Sequence, residues 1–204
     1  MARTFLAASS RFGSLTLPAS YTYPFSMACR FSPAALGTQI FLCLNTGGTL
    51  AEVFIYTSNL YHIGTTNYVT ASSITAVIGT QVNIVAVFTS ATVRDLYIDG
   101  VLRASGGTSD NVTGQTFTVG KQGSGTAYYS SGDIQDAAFW SRALTVGEAL
   151  AYHRGCVPSL MPYLLRAYIP MVGNSSPEPN LCGAAMTLSG SPPKALHKPT
   201  ILPT

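Results

Sequence analysis

Gly132-Asp133-Ile134-Gln135-Asp136-Ala137-Ala138-Phe139-Trp140-Ser141-Arg142-Ala143-Leu144-Thr145-Val146-Gly147-Glu148-Ala149-Leu150 reads as a β-strand that runs directly into a short capped helix. Ile134, Ala138 and Trp140 are expected on one strand face, with Asp136 breaking the strict alternation. Ser141-Arg142-Ala143 makes the turn. Thr145 stands at the N-cap and Glu148 three residues later, so the pair spells a capping box. Leu144, before the cap, is placed to staple against Ala149. The helix is predicted over about Val146 to His153, and Gly155 is placed to end it. The stretch holds no nucleophile–base pair and no metal cluster, so it reads as the closure of a fold.

Upstream of it the chain is a succession of short β-runs rich in Val, Ile, Thr, Phe and Tyr. They include Phe25 to Phe31, Gln39 to Leu44, Ala51 to Tyr56, Leu60 to Ile63, Tyr68 to Ala71, Val82 to Phe88 and Gln115 to Val119. Turn signals separate them at Thr46-Gly47-Gly48, Asp99-Gly100, Ser105-Gly106-Gly107 and Gly123-Ser124-Gly125. Asp99-Gly100, between Leu96-Tyr97-Ile98 and Val101-Leu102-Arg103, predicts a two-residue hairpin turn. Roughly twelve closely spaced strands make the chain all-β, a sandwich or a barrel. Residues 1–157 form this unit. Residues 158–204 add one strand, Leu164 to Ile169, and an extended tail rich in Pro, Gly and Ser, packed on the domain or on a neighbour. Met186-Thr187-Leu188 is a candidate edge strand in that tail, and Lys194 to Lys198 reads as a solvated end.

Of the 204 residues 47% are hydrophobic and only 9% charged, against about 25% charged in an ordinary soluble protein. Polarity outside the core must therefore come from hydroxyl, amide and glycine groups. Such a surface suits a protein that neighbours cover in an assembly, or a hydroxyl-rich β-protein that is simply soluble. A net charge of +3 with scattered Lys and Arg argues against nucleic acid as a partner. No window approaches the roughly 18 apolar residues of a membrane span. The first residues lack a signal-peptide pattern, which leads us to expect synthesis in a cytoplasm. Cys29 and Cys43 lie in apolar runs and read as buried thiols, while Cys156 and Cys182 are either bridged or free.

Three pieces resemble the LamG-like, concanavalin A-like jelly-roll superfamily: Leu96-Tyr97-Ile98-Asp99-Gly100-Val101-Leu102, Phe117-Thr118-Val119-Gly120, and the Gly132-to-Leu150 closing strand and helix. Phe25 to Phe31 is similar to that family's early strand. The resemblance covers about residues 4 to 155 in the family's order, and it implies a jelly-roll β-sandwich with one short C-terminal helix. Gln135 stands where relatives often carry a calcium-supporting Asp. Asp133 and Asp136 are then the candidate oxygens for a calcium ion, which wants six to eight oxygen ligands. No other cofactor is expected. The tail from Ala167 to Gly190 resembles C-terminal extensions of such domains in bacteriophage structural proteins.

Glycosidases need two close carboxyls, whereas Glu52, Glu148 and Glu178 are isolated in sequence, so no enzyme activity is expected. His62 reads as a packed or rim residue, and His153 as a helix-end residue. The candidate interaction residues are tyrosines, which anchor protein interfaces and stack on sugars: Tyr128 and Tyr129 in a Ser/Gly-rich loop, with Tyr61 and Tyr68, and also Tyr56 and Tyr97. The resemblance to phage proteins implies a virion structural protein, a decoration or cement protein on the capsid surface. Its partners would be the major capsid protein and copies of itself, as a homotrimer, with the tail as a staple. The other reading is a carbohydrate-binding module of a tail or fibre that recognises host glycans.

Overall fold

A computed structural model describes residues 2–46, 49–57, 59–64, 67–109, 111–123, 128–171, 176–190 and 194–195. Among the described residues, twelve strands precede the helix. They are β1 (Ala2–Phe5), β2 (Phe12–Tyr21), β3 (Phe25–Pro33), β4 (Gln39–Thr46), β5 (Thr49–Ile55), β6 (Leu60–Gly64), β7 (Tyr68–Thr75), β8 (Val82–Ser90), β9 (Val93–Ile98), β10 (Val101–Gly106), β11 (Gly114–Val119) and β12 (Gly132–Trp140). After the helix α1 (Val146–His153) come β13 (Leu165–Ile169), β14 (Thr187–Ser189) and β15 (Lys194–Ala195).

Two antiparallel sheets form the sandwich. One runs β10-β9-β8-β3-β12-β1-β15, with β13 also on β12; the other runs β14-β2-β11-β4-β5-β6-β7. Between them lies one apolar core, with Phe5, Phe25, Phe31, Phe41, Phe88, Phe117 and Phe139 at full burial. The Asp99-Gly100 hairpin forms as expected, with both residues at positive φ (53° and 76°) as a type I′ turn requires.

The closing strand departs from simple alternation. Asp136 takes φ 53°, and the register with β3 shifts between Gln135 and Ala138. This bulge inserts an extra residue. Ile134, Ala137 and Phe139 therefore face the inter-sheet core, whereas Ala138 and Trp140 face a second cluster beneath α1. The expected common face for Ile134, Ala138 and Trp140 is thus corrected: one inserted residue inverts the side-chain phase. In that second cluster Trp140 Nε1 donates to the Met161 carbonyl at 2.9 Å. The capping box of α1 is complete, with Glu148 N–H donating to Thr145 Oγ1 at 3.3 Å and Thr145 N–H to Glu148 at 2.8 Å. Arg142 beside Glu148 holds that carboxyl down at about 2.

The tail folds onto its own domain. β14 pairs with β2 and β15 with β1, so Lys194, expected in a solvated end, is part of a strand. Glu178 and Met186 form a further bridge, and the Glu178 side chain is fully buried in an ion pair with Arg3. These short strands cover the edges that β1 and β2 would otherwise expose. Cys29, Cys43, Cys156 and Cys182 are all free thiols. Among the described residues, no helix is long and apolar enough to cross a membrane.

Candidate functional site

The outer face of the seven-stranded sheet carries a patch that the strand registers assemble. On β5, Glu52 and Phe54 alternate with the core residues Ala51, Val53 and Ile55, so they point outward. Tyr56 follows on the same side. Phe54 stands opposite His62 on β6, and His62 opposite Thr70 on β7. Glu52 stands opposite Gly64, and Gly64 opposite Tyr68.

Aromatic rings pack the patch. His62 stacks on Phe54 with centroids 5.0 Å apart, and Tyr68 meets Phe54 edge-on at 4.8 Å. Tyr56 closes the other side, 5.9 Å from the His62 ring. Phe54 and His62 are buried while Tyr56 and Tyr68 are 46% and 49% exposed. Tyr128, 50% exposed, joins from the loop after β11, whose Tyr128 carbonyl accepts from the Ile40 N–H at 3.3 Å. Partial burial pushes the Tyr68 hydroxyl pKa up, and Glu52, Tyr56 and Tyr128 add to the shift.

Two polar side chains lie beneath the rings. His62 Nδ1 is 2.9 Å from Thr70 Oγ1, and burial lowers its pKa, which favours the neutral ring. Glu52 is 5% exposed. Gln122, just after β11, lies beside its carboxyl, and the Gly123 backbone lies beside Cys43, its neighbour on β4. Burial pushes the Glu52 pKa up to about 7. From about pH 4.5 to 7 the folded state holds a proton that the unfolded state has released, so stability falls as pH rises. Glu52→Gln is therefore expected to flatten that slope and to stabilise the protein by about 3 kcal/mol at pH 8, with little effect at pH 4. Urea denaturation at the two pH values measures this; equal shifts at both would refute it.

The sequence-derived candidates divide. Tyr68 and Tyr128 are in the patch. Tyr129 is half-buried against Phe12, 6.2 Å between centroids, with the Lys121 ammonium over both rings. Tyr61 is 1% exposed and packs inside the core against Phe41, because it alternates inward beside His62. Its expected surface role is corrected, and Tyr97 is buried as well. Asp133 and Asp136 do not fit a calcium site. Asp133 accepts the Thr4 hydroxyl at 2.7 Å, while Asp136 is ion-paired to Arg30 at 3.0 Å and accepts from Tyr168 at 3.0 Å. A guanidinium already neutralises that carboxylate, and no group of three or more potential metal-ligating side chains gathers among the described residues. Phe54 and Gln122 escaped the sequence reading, Glu52 entered it only as an isolated carboxyl, and His62 only as a packing or rim residue. The available signal was the period-2 set Glu52, Phe54 and Tyr56 on one strand.

Residues 11–149 match the family described as the concanavalin A-like lectin/glucanases superfamily, and the chain belongs to it. No curated protein matches the chain in sequence. The fold is similar to that of a Bacteroides ovatus protein provisionally described as carbohydrate-binding, with TM-score 0.78, 14% identity, and 99% of this chain and 61% of that one covered. It also resembles the heptameric SAP-like pentraxin of Limulus polyphemus, with TM-score 0.62, 13% identity, and 92% and 90% covered. Domains LG4-5 of the mouse laminin α1 chain align at TM-score 0.52 and 16% identity, over 71% and 44%. This chain thus spans less than two thirds of the length of the Bacteroides protein.

Proposed function

We propose that this protein is a non-catalytic carbohydrate-binding module whose ligand lies on the outer face of the seven-stranded sheet. The observation that carries this reading is the exposed trio Tyr56, Tyr68 and Tyr128 gathered around the buried Phe54–His62 stack. Aromatic faces offer a sugar ring apolar contact, while their hydroxyls and the polar groups beneath orient it. Glu52 is the one carboxyl on this face among the described residues. Glycoside hydrolysis works through a pair, so the patch is suited to binding. The membership of a lectin-like family and the carbohydrate-binding description of the Bacteroides protein support the same reading.

Tyr68→Ala and Tyr56→Ala are each expected to weaken glycan affinity about tenfold, with the melting temperature little changed. A glycan array followed by calorimetry on the hits measures this. Unchanged affinity in both variants would remove the patch from the reading.

A second reading is a decoration protein on a bacteriophage capsid, bound to the major capsid protein and to its own copies. The 9% charged composition favours it. The tail strands pair with β1 and β2 of the same chain, so a contact between subunits would use another surface. Shells that melt at the same temperature with and without the protein would end this reading.

A further inference from the structure

Two buried polar atoms in the aromatic patch have nothing to bond. Glu52 Oε1 and His62 Nε2 both lack a hydrogen-bond partner, although both residues are more than nine-tenths buried. Folded proteins rarely leave such atoms unsatisfied, because each destabilises the fold that carries it. Here the two atoms belong to side chains on one face of adjacent strands. Glu52 opposes Gly64, so His62, two residues earlier on β6, is its diagonal neighbour, a Cβ separation of roughly 7–8 Å or less. Gly64 puts no side chain between Glu52 and Tyr68, and the Tyr68 hydroxyl feels the Glu52 charge.

Resting on the carbohydrate reading, the geometry points to Glu52 and His62 as the polar ligands of a neutral sugar, one hydroxyl to each. A hydroxyl both donates and accepts. It therefore satisfies a carboxylate oxygen by donating, and it satisfies the free imidazole nitrogen in either tautomer. Gln122, the side chain beside this carboxyl, moves aside to admit the sugar.

The same pair confines the site to uncharged sugars. Burial keeps His62 neutral, so it offers a ligand anion no countercharge. Lys121, the loop's cation, is directed at Phe12 and Tyr129, 4.3 Å and 5.9 Å from their ring centres. A uronic or sialic acid carboxylate would meet the Glu52 carboxylate in a medium of low dielectric, where like charges repel strongly.

The test is calorimetric titration of the full chain at pH 8, where Glu52 is ionised. The probes are neutral oligosaccharides, each paired with its uronate or sialylated counterpart. We expect the neutral member to bind at least tenfold more tightly. Glu52→Gln should bring the acidic member to within about threefold, and His62→Gln should weaken the neutral member about tenfold. Since His62→Gln disturbs the stack on Phe54, the isosteric Glu52→Gln comparison decides the matter. Equal affinities in the wild type, or a gap that survives Glu52→Gln, overturn this inference while Tyr68→Ala still reports on carbohydrate binding. If no glycan binds at all, both readings fall together.

Discussion

Replacing Asp136 with asparagine is expected to lower stability by about 3–5 kcal/mol. Asp136 is buried in ion-pair contact with Arg30 Nη1 at 3.0 Å, and the Arg30 guanidinium lies 5.2 Å from the centre of the Tyr152 ring. The Tyr168 hydroxyl donates to the same carboxylate at 3.0 Å, and the Tyr152 hydroxyl to the Asp136 carbonyl at 3.2 Å. One residue thereby ties β3, β12, β13 and α1 together. Asparagine keeps the size and tolerates φ 53°, so the bulge is retained and only the charge is lost. Arg30 then stays buried without the carboxylate that neutralises it. Urea denaturation should show a lowered midpoint with an unchanged slope. Arg30→Met added to Asp136→Asn should recover much of the loss, because it removes the buried charge that the first substitution leaves uncompensated. A loss below about 1 kcal/mol, or no recovery in the double variant, would show that the pair does not hold the helix to the sheet.

Glu178→Ala is expected to cost a similar amount, about 3–5 kcal/mol, but with a different signature. Glu178 is fully buried against Arg3, and its backbone exchanges two hydrogen bonds with Met186, at 2.8 and 2.9 Å. Met186 in turn fills the space beside Gly13 on β2. The tail is thus pinned at one point to both sheets, through Arg3 on β1 and Gly13 on β2. Losing the pin should release residues 176–190 before the rest of the sandwich. Hydrogen exchange should show lost protection at the Glu178 and Met186 amides, with β3 and β8 unaffected. The uncovered edges of β1 and β2 should then promote self-association at high concentration. Unaltered exchange in the tail would show that the strand pairings of β14 and β15 suffice to hold it.

Much of this architecture was legible in the residues. The Asp99-Gly100 turn needs positive φ at two adjacent positions, and few sequences supply it. The Thr145–Glu148 capping box is a local hydrogen-bond pattern, so its spacing alone announces the start of the helix. Most of the strands before the helix were anticipated, because Val, Ile, Thr, Phe and Tyr gather in short runs between turn signals. The family likeness carried by the same segments holds over residues 11–149.

The binding patch was legible only in part. Tyr68 and Tyr128 stood out as tyrosines, but Tyr61 looked equally eligible, and only its phase within β6 turns it into the core. Glu52 looked isolated because its neighbours, Gly64 and Tyr68, arrive by strand pairing across 12 and 16 positions of chain. Gln122, which opposes the upward shift that burial gives the Glu52 carboxyl, comes from farther still along the chain. Asp136 likewise read as an ordinary polar break, whereas the bulge it forms decides which residues meet the helix. Local hydrogen bonding and side-chain periodicity determined the elements of this protein, since both act over a few consecutive residues. The partners of its buried charges, and the groups sharing the outer face, were decided by register between distant strands, where a shift of one residue moves a side chain to the opposite side of the sheet.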